Sequence, residues 1–218
     1  MIEFITQIDH SILLFIQENL RFDWFTEPTI FVSHLGDHGK IWIILCLILL
    51  LFKRTRKAGI CGLLALLINL LITNVTLKPL VARVRPYEQF NDLLLLLERQ
   101  KDFSFPSGHT SSSFAAAWAI FQTYRLPELE MGANGQNAEG HDKGKWTVLG
   151  MSAMILAIWI GWSRLYVAVH FPTDVLAGVF IGIISAWISI RIVDVIIYRW
   201  QVRKKALLYN EGEDRTHE

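Results

Sequence analysis

Residues 60–77 read ICGLLALLINLLITNVTL, a run with no charge and only Asn69, Thr73, Asn74 and Thr76 to break its apolar character. A bilayer core about 30 Å thick is crossed by about 20 predominantly apolar residues in a helix. The run is therefore read as a transmembrane helix. Its flanks are equally informative: Lys53, Arg54, Arg56 and Lys57 precede it, and Lys78 follows at once.

Moving outward, four further stretches qualify or nearly qualify, at 40–52, 107–124, 147–162 and 175–198. The first is short unless Gly36 to Gly39 form a tight turn at its mouth. Segments 2–20 and 24–35 either lie in the membrane interface or together add one more crossing. Composition agrees: of 218 residues, 52% are hydrophobic and 19% charged, with a mean hydropathy of +0.35, which ordinary soluble composition does not match. The expected fold is all-α, a polytopic membrane helix bundle of six transmembrane helices forming one domain over 1–218. With Glu3 and Asp9 and no basic stretch near the start, the first segment is expected to be retained rather than cleaved.

Short basic loops are held on the cytoplasmic side. If the spans alternate, the cluster at 53–57, the polar loop 125–146 and the tail 199–218, with Arg199, Arg203, Lys204 and Lys205, share one face. Loops 78–106 and 163–174 then lie together on the extracytoplasmic face. An N-terminus on the cytoplasmic side favours the six-span count. Residues 131–144, rich in Gly and Asn, read as a mobile linker in which His141 is solvated. Trp24, Trp146 and Trp200 mark span ends. A net charge of +1 gives no reason to expect nucleic acid as a partner. Cys46 and Cys61 sit in apolar runs and read as packing residues.

Charged and polar residues at the ends of these spans carry the chemistry. Lys78, Arg85 and Arg164 suit a cage for a phosphoryl group, whose charge in transfer spreads over three equatorial oxygens. Ser107 and Gly108, just after Pro106, open an apolar helical run whose amides and dipole form an anion site. A neutral His170 held by Asp174 is able to attack phosphorus, and His109 is placed to protonate the leaving oxygen. Pro172 suits the first helical position and puts Asp174 in the first turn. With no carboxylate cluster of metal-ligand type beside them, the chemistry is expected to need no metal and no cofactor.

The chain resembles the type 2 phosphatidic acid phosphatase family, related to vanadium haloperoxidases and bacterial acid phosphatases, at three motifs. These are Lys-x6-Arg-Pro from Lys78 to Pro86, Pro-Ser-Gly-His from Pro106 to His109, and Ser-Arg-x5-His-x3-Asp from Ser163 to Asp174. The resemblance implies a phosphohistidine on His170, His109 as acid, Asp174 orienting His170, and Lys78, Arg85, Ser107, Gly108 and Arg164 binding phosphate.

The expected function is hydrolysis of a membrane lipid phosphate or diphosphate in a bacterial inner membrane, with undecaprenyl diphosphate first and phosphatidylglycerol phosphate or phosphatidic acid next. Transfer to a lipid or sugar hydroxyl is a second enzymatic reading, and a non-enzymatic transporter or scaffold a third. Taken singly, Lys78 and Arg85 also read as snorkelling anchors and Ser107 as a helix cap. Leu93 to Leu97, followed by Glu98 and Arg99, suggest a short amphipathic helix that holds a lipid tail or gates its approach. Asp194 is expected to pair with Arg191 or to lie near the interface.

Overall fold

A computed structural model describes residues 2–125 and 143–214; the linker expected around His141 falls outside them. All regular structure among these residues is helical. The elements are α1 (Ile2–Asn19), α2 (Asp23–Leu35), α3 (Lys40–Leu51), α4 (Arg56–Leu70), the short α5 (Lys78–Val81) and α6 (Pro86–Gln89), then α7 (Gly108–Arg125), α8 (Lys143–Tyr166) and α9 (Pro172–Asp214). A wider, π-type stretch at Leu71–Leu77 carries α4 into α5. The turn expected before α3 is present as a 3-10 turn, Asp37–Gly39, in which His38 and Gly39 both have positive φ.

The molecule is built around α7, which packs against α9, α8 and α4. Its buried side is mostly small, with Thr110, Ser111 and Ser113 followed by Ala115, Ala116, Ala117 and Ala119. Small residues answer it from the neighbouring helices. A Cβ added at Gly182 on α9 would lie 2.5 Å from the Ser111 carbonyl oxygen, and one at Gly150 on α8 would lie 2.9 Å from the Cα of Phe121. On α4, Gly59 and Gly62 admit Cys46 of α3 in the same way. Such close crossings let dispersion and backbone contact replace the hydrophobic effect, which is weak between helices in lipid. Both cysteines are buried in this packing. The outward faces are the reverse: Ile44, Leu67, Ile155, Ile158, Phe180 and Ile184 are exposed. Apolar groups inside and outside mark a helix bundle solvated by lipid.

Three helical runs, Arg56–Gln89, Val148–Tyr166 and Pro172–Leu207, are long and apolar enough to cross a membrane, and α2 with the turn and α3 forms a further run bent by 49°. The N-terminal region, open to two arrangements in sequence, is held at one end of the bundle. Asp9 reaches Arg83 and Thr173, His10 reaches Asp92, Gln17 caps Leu94 N, and Arg21 donates to the carbonyls of Leu94 and Tyr166. These partners of α1 all lie at that one end.

One expectation is corrected. Residues 93–97 form no helix, because Gln17 and Arg21 take the backbone groups of Leu94 and Leu93 packs inward on Leu13 and Phe171. The segment is a strap, with Leu95, Leu96 and Leu97 against the core rather than facing lipid. Of the two places expected for Asp194, the pair with Arg191 is not formed: Asp194 pairs with Lys57 of the basic cluster at 3.1 Å, since the first turn of α4 faces it, while Arg191 lies over the Trp187 ring. The helix that follows the last span also continues to Asp214, well into the expected tail.

Replacing Gly182 by Val should cost at least about 1–3 kcal/mol through overpacking against α7, read as a lower Tm in detergent. Ile155→Ala, on the lipid-facing side, should change Tm little.

Candidate active site

Lys78, placed by the widened turn at the end of α4, is 6% exposed, and Arg85, just before α6, is 3% exposed. Between them Ala82 takes a left-handed conformation (φ 47°) that ends α5 and turns the chain back. A β-carbon tolerates that region poorly, and such strain collects at functional sites. Arg164, on the last turn of α8, is 1% exposed. Its Nη1 donates to Ser33 Oγ, while its Nε meets no acceptor among the described residues. Gly108 opens α7 beside Lys78: a Cβ there would lie 3.8 Å from Lys78 Nζ. Ser107, also buried, caps α7, its Oγ 2.8 Å from Thr110 Oγ1 and its N–H donating to the Asp174 carbonyl. The hydroxyl expected to face phosphate is thus engaged in the cap.

His170 lies in the turn between α8 and α9, after Ala168 with φ 58°. Its Nδ1 is 3.7 Å from Asp174 Oδ2 and 3.5 Å from Ser104 Oγ, and its Nε2 is 3.5 Å from Arg85 Nη1. The direct His–Asp bond expected from the spacing is therefore long, and Ser104 bridges it, donating to Asp174 Oδ2 at 2.5 Å. Burial first of all, with Arg85 adding to it and Asp174 opposing, pushes the His170 imidazole down to about 3. The ring is neutral at physiological pH.

Asp174 is fully buried in the first turn of α9. Its Oδ1 accepts from Arg83 Nη1 at 2.6 Å and its Oδ2 from Phe171 N at 2.9 Å. Arg83 in turn binds Asp9 of α1 at 2.8 Å and lies 3.9 Å from the Phe171 ring centre. His109, at the start of α7, has its Nε2 2.8 Å from Asp37 Oδ1, and Asp37 Oδ2 is 3.0 Å from His34 Nδ1.

One carboxylate joins the cations. Asp102 makes an ion pair with Lys78 through Oδ2 and with Arg85 Nη2 through Oδ1 at 2.6 Å, and its carbonyl accepts from Arg85 Nε at 2.9 Å. Burial opposes its ionisation, but Lys78 and then Arg85 outweigh that and hold the carboxyl at about 2.

The eight residues picked out in sequence are thus gathered at one end of the bundle. Asp102, Arg83, Ser104 and Asp9 were not picked out. Their partners lie far off in the chain, so no local pattern announces them. The nearest signal is position: Arg83 sits two residues before Arg85, and Asp102 and Ser104 stand just before Pro106.

The chain matches the PAP2 superfamily over residues 58–198. It is 33% identical to an undecaprenyl-diphosphatase of Sulfolobus acidocaldarius over 71% of this chain and 64% of that protein, so the match spans a little under two thirds of that relative. It is 30% identical to phosphatidylglycerophosphatase B of Bacillus subtilis over 76% of this chain and 73% of that one. The crystal structure of a transmembrane PAP2-type phosphatidylglycerolphosphate phosphatase from Bacillus subtilis superposes with a TM-score of 0.61 at 27% identity, covering 85% of this chain and 84% of its own. The chain belongs to the PAP2 superfamily.

Removing the Arg83 charge leaves Asp174 and Asp9 as buried carboxylates without their counter-ion, a loss of about 3–5 kcal/mol for such pairs. Arg83→Gln should lower Tm accordingly and reduce kcat at least about tenfold, with Arg83→Lys recovering part of both. His170 gives a pH signature. Its folded value lies below that of a free imidazole, near 6.5, so the stability it supports is present above about pH 6.5 and is lost as pH falls toward 3. The slope is at most about 1.4 kcal/mol per pH unit. Thermal melts between pH 6.5 and 4 should therefore fall less steeply in His170→Gln than in the unmodified protein.

Proposed function

We propose that this chain is an integral membrane lipid phosphatase that works through a phosphohistidine on His170. The observation that carries this reading is the buried cluster of Lys78, Arg85 and Arg164 with its unpartnered Arg164 Nε. A buried donor without an acceptor is costly, and a tetrahedral oxyanion between these cations supplies one.

The reaction follows from which atoms face which. Nδ1 of His170 is turned to Ser104 and Asp174, so Nε2, beside Arg85, is the nitrogen left to attack phosphorus. The N–P bond forms as the bond from phosphorus to the leaving oxygen breaks, and His109 gives that oxygen its proton. Because Asp37 holds Nε2 of His109, Nδ1 is the nitrogen available for the transfer. Water then attacks the phosphohistidine, its proton passes back to His109, and phosphate leaves with both histidines restored. Asp174, held in place by Arg83, stabilises the positive charge that grows on the His170 ring during the first step.

A cavity of about 600 Å³ supports a lipid as substrate. Its polar end holds Lys78, Gly108 and His109, and its other wall is Ile43, Leu66 and Leu70 of α3 and α4. Undecaprenyl diphosphate is the substrate proposed first, on the strength of the relative from Sulfolobus acidocaldarius, with phosphatidylglycerol phosphate second, on that from Bacillus subtilis. The whole of 1–218 is taken as one lipid-phosphatase domain. For location we propose a bacterial inner membrane with the site extracytoplasmic and the C-terminus cytoplasmic. Support comes from Arg56 and Lys57 at the far end of α4 from Lys78, and Arg203, Lys204 and Lys205 at the far end of α9 from Asp174.

Phosphate release from a panel of polyprenyl diphosphates, phosphatidylglycerol phosphate and phosphatidic acid tests the reading. Purified protein should favour the prenyl diphosphate, and His170→Ala should lose activity on all of them. His109→Ala should lose about 10²–10⁴-fold on phosphatidic acid, whose alkoxide leaves poorly, and much less on an aryl phosphate. Undiminished hydrolysis by His170→Ala would refute the nucleophile.

A further inference from the structure

Three buried cations repel one another, and the fold sets a carboxylate of its own against two of them. Asp102 spans Lys78 and Arg85 with its two oxygens, and its main-chain carbonyl takes the Arg85 Nε as well. Two oxygens of one planar anion thus hold the lysine and one edge of the guanidinium, the same donors that two oxygens of a phosphoryl group would take. The loop that carries Asp102 has no regular structure, and its side chain is 52% exposed where those of its two partners are 8% and 3% exposed. The carboxylate therefore comes in from the solvent side, and it lines the cavity that also holds Gly108 and His109. Lys101 and Gln100 line the same rim.

We propose that Asp102 is a displaceable internal anion of the phosphate cage: it occupies Lys78 and Arg85 in the resting enzyme, is pushed aside by the substrate phosphoryl group, and returns to expel the phosphate product. This rests on the reading of Lys78 and Arg85 as phosphate ligands. Physically, the resting pair keeps the two cations in position at low cost, since a lone buried cation would be far more expensive than a paired one. A phosphate dianion brings more charge and more acceptor oxygens than a carboxylate, so it wins the exchange while bound at high effective concentration from the membrane. The orthophosphate product has no such anchorage and competes with a carboxylate that is covalently at hand. If the closed form makes up most molecules at rest, apparent phosphate affinity is reduced by the open fraction.

The test is competitive inhibition by inorganic phosphate, with a short-chain lipid phosphate as substrate and full-length protein in detergent. Asp102→Asn keeps the shape and removes the charge. The inhibition constant for phosphate should fall by about tenfold or more relative to the unmodified protein, and kcat should fall if product release becomes limiting. A constant that is unchanged or raised in Asp102→Asn overturns the proposal, because a carboxylate that merely braces the cage would weaken phosphate binding when lost. Arg85→Gln separates the two layers: if it leaves the phosphate constant unchanged, the cage reading itself fails, whereas a large rise there with no gain in Asp102→Asn sinks only the displacement. A second measurement needs no variant. Saturating phosphate should speed backbone amide exchange at residues 99–104 in the unmodified protein and leave the middle of α8 as it was; no change in that loop contradicts the displacement.

Discussion

The Asp174 carboxylate is the constraint on which the site depends. It is fully buried at the first turn of α9, and an ionised group there must be met on every side. Arg83 meets it from the loop after α5, Ser104 from the loop before α7, Phe171 N from its own turn, and its main-chain carbonyl takes the N–H of Ser107. Satisfying one charge thus fixes the relative places of all three motif segments. His170, four residues earlier, is set by the same bonds. Asp9 extends the network to α1 through Arg83 and Thr173, which explains why an N-terminal helix is drawn over this end of the bundle.

Such a network tolerates little movement, and the helix crossings supply the needed rigidity. Gly178 of α9 leaves so little room that a Cβ there would lie 2.9 Å from the Ser107 carbonyl oxygen. The helix that carries Asp174 is therefore pressed directly against the residue that caps α7. Lower down, Gly182 and the alanines of α7 continue the contact. The small side chains of the membrane interior and the charges at its edge thus belong to one arrangement: the first brings the backbones close, and the second uses the closeness.

Much of this was legible in the chain. Uncharged runs such as 60–77 announce apolar helices, and fixed spacings such as Lys78 to Arg85 and His170 to Asp174 pick out residues that the fold gathers at one end of the bundle. What local pattern could not carry was pairing across the fold. Asp102 looks like any loop acid until it is seen between Lys78 and Arg85, and Arg83 looks like a spare cation until Asp9 and Asp174 close on it. The leucines at 93–97 misled because a run of one residue type has no period from which to choose a face. Gln17 and Arg21 decided the matter from another element. Asp194 was likewise settled by Lys57, more than a hundred residues earlier.

The central claim is that this buried network holds His170 neutral so that its Nε2 attacks phosphorus. The most direct measurement is rapid quench of the enzyme turning over a substrate labelled in its transferred phosphate, followed by mass spectrometry of the peptides. The account predicts an acid-labile, base-stable phosphoryl group on His170 that forms and decays within the turnover time. Label found on His109, or full turnover with no phosphorylated peptide at any quench time, would contradict it.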